Sequence, residues 1–268
     1  MNKIKNFFIL FFAVYGVLWT IIESVSYFFQ DLTLTGWIKY ASLVLISFVI
    51  SGVSSRKKSK ISFKIGNSDT TVELTFGDLF NSTSCKVISV NEFFDSELGD
   101  HVSINSLHGY FIKNILNGVS TSFETLVDQS LIGYRSEDVE RLSGRQKKYP
   151  IGTTAKVEIN EQKYFLVAIA HTNLEDLKAY ADMHDLWNAL DGLWQTARSA
   201  SNGDSIALPL MGTGLAGIGL PPKQILNLIL TSIFHETKKQ QICKKISIVI
   251  HSNFKDEIDL ELIKRQWS

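Results

Sequence analysis

The chain has 268 residues, 27 of them basic and 27 acidic, so its net charge is close to zero. That balance excludes a general nucleic-acid binder, which needs a basic surface, and the length admits one domain with an appendage. The two cysteines, Cys85 and Cys243, have no neighbouring Cys/His cluster, which excludes a zinc site and a disulfide framework and predicts buried, reduced, cytosolic thiols. No metal or cofactor is expected.

The N-terminus is different in kind from the rest. Phe7 to Ile22 is uncharged and almost wholly apolar; Glu23 follows, then Val25 to Phe29. A second apolar run goes from Trp37 to Val53, broken only by Lys39. Each is long enough to cross the ~30 Å of a bilayer core as a helix. The polar link Gln30 to Gly36 is short, so residues 1–55 read as a transmembrane hairpin. Lys3 and Lys5 precede the first span, and Arg56, Lys57, Lys58 and Lys60 follow the second. The positive-inside rule then puts both ends in the cytoplasm and the link outside. Trp19, Tyr27, Trp37 and Tyr40 sit near span ends, as interface anchors do. The first span lacks the small-residue cleavage site of a signal peptide. Glu23 is expected to snorkel or to face a partner helix, with a functional intramembrane acid as the alternative.

Residues 56–60 form a basic linker, and residues 61–268 alternate strands with helices. Ile61 to Ile65 and Thr71 to Thr75 read as a hairpin around Gly66-Asn67-Ser68. Cys85 to Val90 is a short apolar strand. Ser106 to Leu116 and Phe123 to Gly133 are helix-like. Lys156 to Ile159 and Lys163 to Ala170 pair around Asn160-Glu161. Leu174 to Ser199 carries Leu186, Leu190, Leu193 and Ala197 at helical spacing. Ser205 to Met211 and Ile246 to Ile250 are strands, with a helix from Ile225 to Thr237 between them. This order predicts an α/β fold with helices on both faces of a mixed sheet. Ligands bind such sheets beyond the carboxyl ends of the strands. Three segments share that location: the loop after Met211, the residues from Asn91 onward, and His251 to Phe254.

The most informative of these is LPLMGTGLAGIGLPP, Leu208 to Pro222. It reads as a buried strand, a loop with glycine at 212, 214, 217 and 219, and a helix opened by Pro221-Pro222. Glycine lets backbone N–H groups approach a ligand closely, and a helix N-terminus favours an anion. The segment predicts a phosphate or diphosphate cradle. It contains a literal G-x-G-x-x-G, but it comes late in the chain and no strand-end acid follows at the dinucleotide-fold spacing.

The residues resemble the macro domain, the ADP-ribose-binding three-layer α/β/α fold, from about Val72 to Glu257. FGDLF, with Asp78 and Leu79, is similar to the family's opening Gly-Asp-hydrophobic step, whose acid accepts a hydrogen bond from the adenine amino group. SVNEFFD matches the family's Val-Asn-Ala-Ala-Asn strand end at Asn91. The second Asn, which contacts the distal ribose and serves the hydrolases, is replaced within Glu92, Phe93, Phe94 and Asp95. The first glycine-rich loop is reduced to LGDHVSINSLHG. There Ser103 and Asn105 are candidate ribose contacts, and ordinary loop polarity explains them equally. YPIGTTAKVEI and FLVAIAHTN look like the family's middle strands. Gly212, Thr213, Gly214, Leu215, Ala216, Gly217 and Ile218 match the diphosphate loop, and Phe254 sits where an aromatic often packs on adenine. Two membrane helices before such a domain resemble the effector of one type of Thoeris antiphage system. In that family a TIR-domain enzyme makes an ADP-ribose-based signal from NAD. The effector senses the signal, and its helices damage the bacterial membrane. The resemblance implies a sensor working as a homo-oligomer in the inner membrane, with the lipid bilayer as its target. The alternative is a membrane-anchored ADP-ribosyl hydrolase or phosphoesterase.

Several residues have plainer readings. Asp78 can cap a helix, and Asn91 can bond its own turn. His101 and His108 read as polar surface groups, and His184-Asp185 as a solvated face. His171 and Asp185 lie far apart in the pattern. Trp187 and Trp194 read as core, and the Lys238-Lys239 and Lys244-Lys245 pairs as solvated ends. No catalytic residue is assigned.

Overall fold

The computed structural model describes residues 2–28, 37–54, 58–66, 68–200, 203, 205–214 and 217–267. The chain divides into two compact units, Met1–Lys58 and Ser59–Ser268.

The first unit is a pair of helices, α1 (Asn2–Phe28) and α2 (Trp37–Ser54). Phe7–Phe28 and Trp37–Ser54 have mean hydropathies of 2.0 and 1.6 and are long enough to cross a membrane. The helices pack antiparallel. The Phe7 ring meets Phe48 edge-on, Trp19 stacks on Tyr40, and Lys39 Nζ lies 2.9 Å from Glu23 Oε1. Phe7, Phe11, Tyr15 and Trp19 recur at every fourth position and form one aromatic ladder along α1. Leu43, Ser47 and Ser51 are the buried seam of α2, where small side chains let helix backbones approach. Glu23 therefore faces a partner helix of its own chain. The expected link Gln30 to Gly36 lies outside the described residues, as do Arg56 and Lys57.

Among its described residues the second unit holds ten strands. These are β1 (Lys60–Lys64), β2 (Thr71–Phe76), β3 (Cys85–Asn91), β4 (Glu137–Asp138), β5 (Lys147–Lys148), β6 (Thr154–Ile159), β7 (Gln162–Thr172), β8 (Ala179–Tyr180), β9 (Ile206–Pro209) and β10 (Lys245–Ile250). The main sheet runs β1-β2-β10-β9-β3-β7-β6, with β8 paired to β7, while β4 and β5 form a separate small hairpin. β2, β10, β9, β3 and β7 are parallel, and the edges β1 and β6 are antiparallel to their neighbours. Strands buried on both faces read as continuous apolar runs, which is why β3, β9 and β10 were visible in the sequence. The β6–β7 turn holds Asn160 and Glu161 at φ 50° and 66°, the left-handed pair that a two-residue hairpin requires.

Side chains alternate between two cores. Val87, Phe165 and Val167 face α5 (Met183–Ala200), α6 (Pro222–Lys239) and α7 (Leu260–Trp267). Ile88, Leu166 and Ala168 face α3 (Leu107–Tyr110), its π-helical continuation Phe111–Ile115, and α4 (Ser120–Ser130). A Cβ on Gly192 of α5 would sit 2.1 Å from the Gly152 carbonyl oxygen, so two glycines set how closely that helix seats. Both cysteines are buried thiols outside any disulfide, and burial pushes the Cys243 thiol up to about 11.

Three expectations change. The helix expected from Leu174 starts at Met183, because Asp182 and Asp185 accept each other's backbone N–H at 2.9 Å and fix the first turn there. Trp194 is fully buried and donates to Ser232, whereas Trp187 is 38% exposed. His108 is buried, not a surface group. Ser106 caps α3 through the Gly109 N–H, and Gly109 lies so close to Ser103 that a Cβ would meet its carbonyl oxygen at 2.2 Å. The short helix thus turns His108 against Phe123.

Burial lowers the His108 imidazole to about 4, against a smaller opposing pull from Asp95. An unfolded imidazole titrates near 6.5. Between those values the unfolded chain binds the extra proton, so stability falls as pH drops from about 6.5 toward 4, by at most about 3 kcal/mol. His108→Leu should flatten that part of the profile in chemical denaturation of the full-length chain at pH 7 and pH 5. An unchanged slope would show that His108 is not its source.

Candidate functional site

Parallel alignment places the carboxyl ends of β2, β10, β9, β3 and β7 on one edge of the sheet. The segments leaving that edge carry most of the candidate residues. After β2, Asp78 is exposed and caps the single turn Leu79–Asn81, its Oδ1 accepting the Phe80 N–H at 2.9 Å. Leu79 is buried beneath it. After β10, His251 caps the turn Ser252–Asp256, which presents the half-buried Phe254.

The loop after β9 is built around Gly212. Its φ is +89°, and a Cβ there would lie 2.2 Å from the Ile218 side chain. Ile218 donates its N–H to the Gly212 carbonyl at 3.1 Å and closes the loop. The Thr213 hydroxyl donates to the Leu210 carbonyl at 2.8 Å. Among the described residues, a Cβ at Gly214 would meet nothing within 4 Å, and one at Gly217 would meet the Gly214 carbonyl oxygen at 3.2 Å. Leu215 and Ala216 lie outside the described residues. The chain then enters α6 through Pro221 and Pro222.

The region after β3 is organised inward. Asn91 is buried; its amide donates to Asp95 Oδ2 at 2.9 Å, and its Oδ1 accepts the Asp95 N–H at 3.1 Å. The Asp95 carboxylate, fully buried, also takes Arg141 Nη1 at 3.2 and 3.1 Å and the Arg145 N–H at 2.9 Å. Arg141 lies over the Phe93 ring and touches His101 Nδ1 at 3.0 Å, and His101 Nε2 lies 2.9 Å from the Ser143 hydroxyl. Arg145 reaches the Phe93 carbonyl at 3.1 Å and Asp128 at 2.5 Å. The loop between β4 and β5 is thereby fastened to the residues that follow β3. Ser103 accepts the Asn105 N–H at 3.3 Å, and Asn105 is exposed.

A second chain of contacts runs beside it. Glu92 is buried. Its Oε2 lies 2.7 Å from His171 Nδ1 and its Oε1 accepts the Thr172 N–H at 3.2 Å. The other ring nitrogen of His171 lies 3.1 Å from Asp185 on α5. A cavity of about 390 Å³ opens here, lined by Glu92, Arg135, Lys148, Tyr149 and His171 among others. Both nitrogens of His171 face carboxylates, so the ring ties β3 and β7 to α5 and neither nitrogen is left for a substrate.

The family described as Thoeris protein ThsA, Macro domain, matches residues 72–251, more than half of the chain. The chain belongs to that family. A macrodomain from Oceanobacillus iheyensis, solved with ADP, is similar at a TM-score of 0.53, with 14% identity over 77% of this chain and 96% of that one. A point mutant of the same macrodomain gives a TM-score of 0.54 and 14% identity over 78% and 98%. Likeness at this identity establishes the fold: a macro domain, preceded here by the two apolar helices. No curated protein matches the chain.

For this ThsA-type macro domain, the sequence reading brings Asp78, Asn91, the glycine loop and Phe254 to one edge. It misses Arg141 and Arg145, and it misplaces His101, whose side chain is only 2% exposed. It also leaves Asp185 on a solvated face. The arginine partners of Asp95 stand 46 and 50 positions away, and no periodicity marks such contacts.

Removing one member of a buried ionic cluster leaves its partners uncompensated and costs about 3–5 kcal/mol. Asp95→Ala should therefore lower the stability of the full-length chain by about that much, and release the β4–β5 loop to protease. A loss below about 1 kcal/mol would reduce the cluster to surface decoration.

Proposed function

We propose that this chain is a membrane-anchored sensor of an ADP-ribose-derived nucleotide. The observation that carries the reading is the convergence, at one sheet edge, of the capped Asp78 turn, the open glycine loop and the Phe254 turn. Membership in the ThsA macro-domain family and the likeness to a macrodomain solved with ADP support it. Asp78 caps with one carboxylate oxygen and receives the adenine amino group on the other, over the buried Leu79. Phe254 packs on the adenine. The loop from Gly212 to Ile218, with Thr213, Gly214, Leu215, Ala216 and Gly217, cradles the diphosphate, while the Ile218 N–H keeps its bond to the Gly212 carbonyl and holds the loop closed. Ser103 and Asn105 meet the ribose. Asn91 shapes the site through Asp95.

The action is binding, not turnover. What supports this is that Asn91, Asp95 and Arg141 hold one another after β3 and that Glu92 holds His171. Release of ADP-ribose from a modified protein by the purified chain, lost on mutating the crevice, would favour the hydrolase reading instead.

The remaining parts of the reading concern the hairpin. Residues 1–55 anchor the protein in the bacterial inner membrane with both ends cytoplasmic. Residues 56–60 link them to the ligand-binding domain, residues 61–268. A TIR-domain enzyme supplies the signal, and the ligand gathers several chains whose hairpins disturb the bilayer. A single pair of helices encloses no aqueous path, so several are needed.

Calorimetry of the full-length chain in detergent with ADP-ribose tests the site. Asp78→Ala should weaken binding by about 1–3 kcal/mol, and Gly214→Val should abolish it without unfolding, since among the described residues no atom lies within 4 Å of a Cβ there. Wild-type affinity in both would move the site elsewhere.

Dye release from liposomes tests the membrane half. Glu23→Lys should suppress ligand-dependent release, and adding Lys39→Glu should restore it, because the two charges meet within one hairpin at 2.9 Å. Release that ignores both ligand and substitution would end the effector reading.

A further inference from the structure

We infer that β1 is the element that reads ligand occupancy and passes it to the N-terminal hairpin. The inference rests on the sensor reading above. It starts from strand direction. β2 is parallel to its inner neighbour β10, but β1 is antiparallel to β2, with Lys60 opposite Thr75 and Lys64 opposite Thr71. The start of β1 therefore lies at the crevice edge of the sheet. Had β1 run the other way, its start would lie about 17 Å off, the length of five residues at ~3.3 Å each. The strand that follows the hairpin in sequence thus begins beside the proposed ligand contacts.

The local bonds make the link specific. The Phe76 N–H donates to the Ser59 carbonyl at 2.9 Å, and the next amide, Gly77, donates to the Ile250 carbonyl at 2.9 Å. Asp78 is the residue after that. Two successive amides therefore grip the start of β1 on one side and the end of β10 on the other. β10 leads into the turn that carries Phe254, and the chain then returns as α7, which packs against β1. Glu73 adds a third tie, with Lys60 of β1 and Lys245 of β10 each 3.0 Å from its Oε2. Every one of these restraints on β1 ends on β2, on β10 or on the segment that follows β10.

A ligand shifts a conformational equilibrium only by binding one state better. An edge strand frays from its end, and the end here is the Ser59–Phe76 bond. A nucleotide that holds Asp78 and Phe254 fixes Phe76, Gly77 and Ile250, and so holds Ser59 in the sheet. By reciprocity, any change that loosens Ser59 weakens the nucleotide to the same degree. Among the described residues, the far edge strand, β6, makes its ladder with β7 and shows no such bond to the crevice segments after β2 and β10.

The first test is amide hydrogen exchange on the full-length chain in detergent, with and without saturating ADP-ribose. The amides of Ile61 and Phe63, which point toward β2 in this register, should slow at least about tenfold, while those of β6 stay as they were. Bound ADP-ribose with no change at β1, or an equal change at β6, overturns the inference and leaves the sensor reading standing. The absence of any ADP-ribose binding would instead remove the sensor reading, and this inference with it. The second test inserts Gly-Ser-Gly-Ser between Lys58 and Ser59. Affinity should stay within about twofold of wild type while ligand-dependent dye release from liposomes falls at least about tenfold. The same insertion at the exposed Asn160-Glu161 turn should leave release intact. Wild-type release from the Lys58–Ser59 insertion would show that β1 does not carry the signal.

Discussion

Parallel pairing of β2, β10, β9, β3 and β7 is the constraint on which the rest of this domain depends. Parallel strands cannot be joined by tight turns, so each must return through a crossover on one face of the sheet. That requirement accounts for helices on both faces and for two cores of alternating side chains. It also sends five strand ends to a single edge. Chemistry that a sequence scatters from Asp78 to Phe254 is gathered there with no residue needing to be near another in the chain.

What happens at that edge differs from strand to strand. After β9 the backbone is left open by glycine, and a helix N-terminus follows. After β3 the chain does the opposite and closes on itself around the Asp95 carboxylate. A buried ionic cluster contributes little net stability compared with apolar packing of the same volume, but it strongly opposes any arrangement that separates its members. The Asp95 cluster is therefore best understood as fixing the path of the β4–β5 loop. The same logic applies to His171, which holds the ends of β3 and β7 against α5 through Glu92 and Asp185.

How much of this was legible in the sequence follows from the physics of each element. The inner strands were visible because burial on both faces leaves only apolar residues. The glycine loop was visible because positive φ at Gly212 and Gly219 restricts residue choice. The β4–β5 hairpin was not. Its strands are Glu137–Asp138 and Lys147–Lys148, with no apolar alternation, and it is held by arginines bonded to a distant carboxylate. His101 and His108 look like loop residues by type, and only tertiary packing puts them inside. Trp187 shares a helical face with Trp194 by spacing, yet it lies beyond the rim of the core and stays partly exposed. Asp78 shows a residue whose two readings are compatible, since capping engages a single oxygen.

The Glu23–Lys39 contact closes within one chain. A lone charge in a hydrocarbon phase drives a helix to seek a neighbour that neutralises it. Here each charge already has its neighbour, supplied by the next helix of the same polypeptide. The hairpin therefore neutralises its own two interior charges, and its pairing of α1 with α2 needs no second chain to satisfy them.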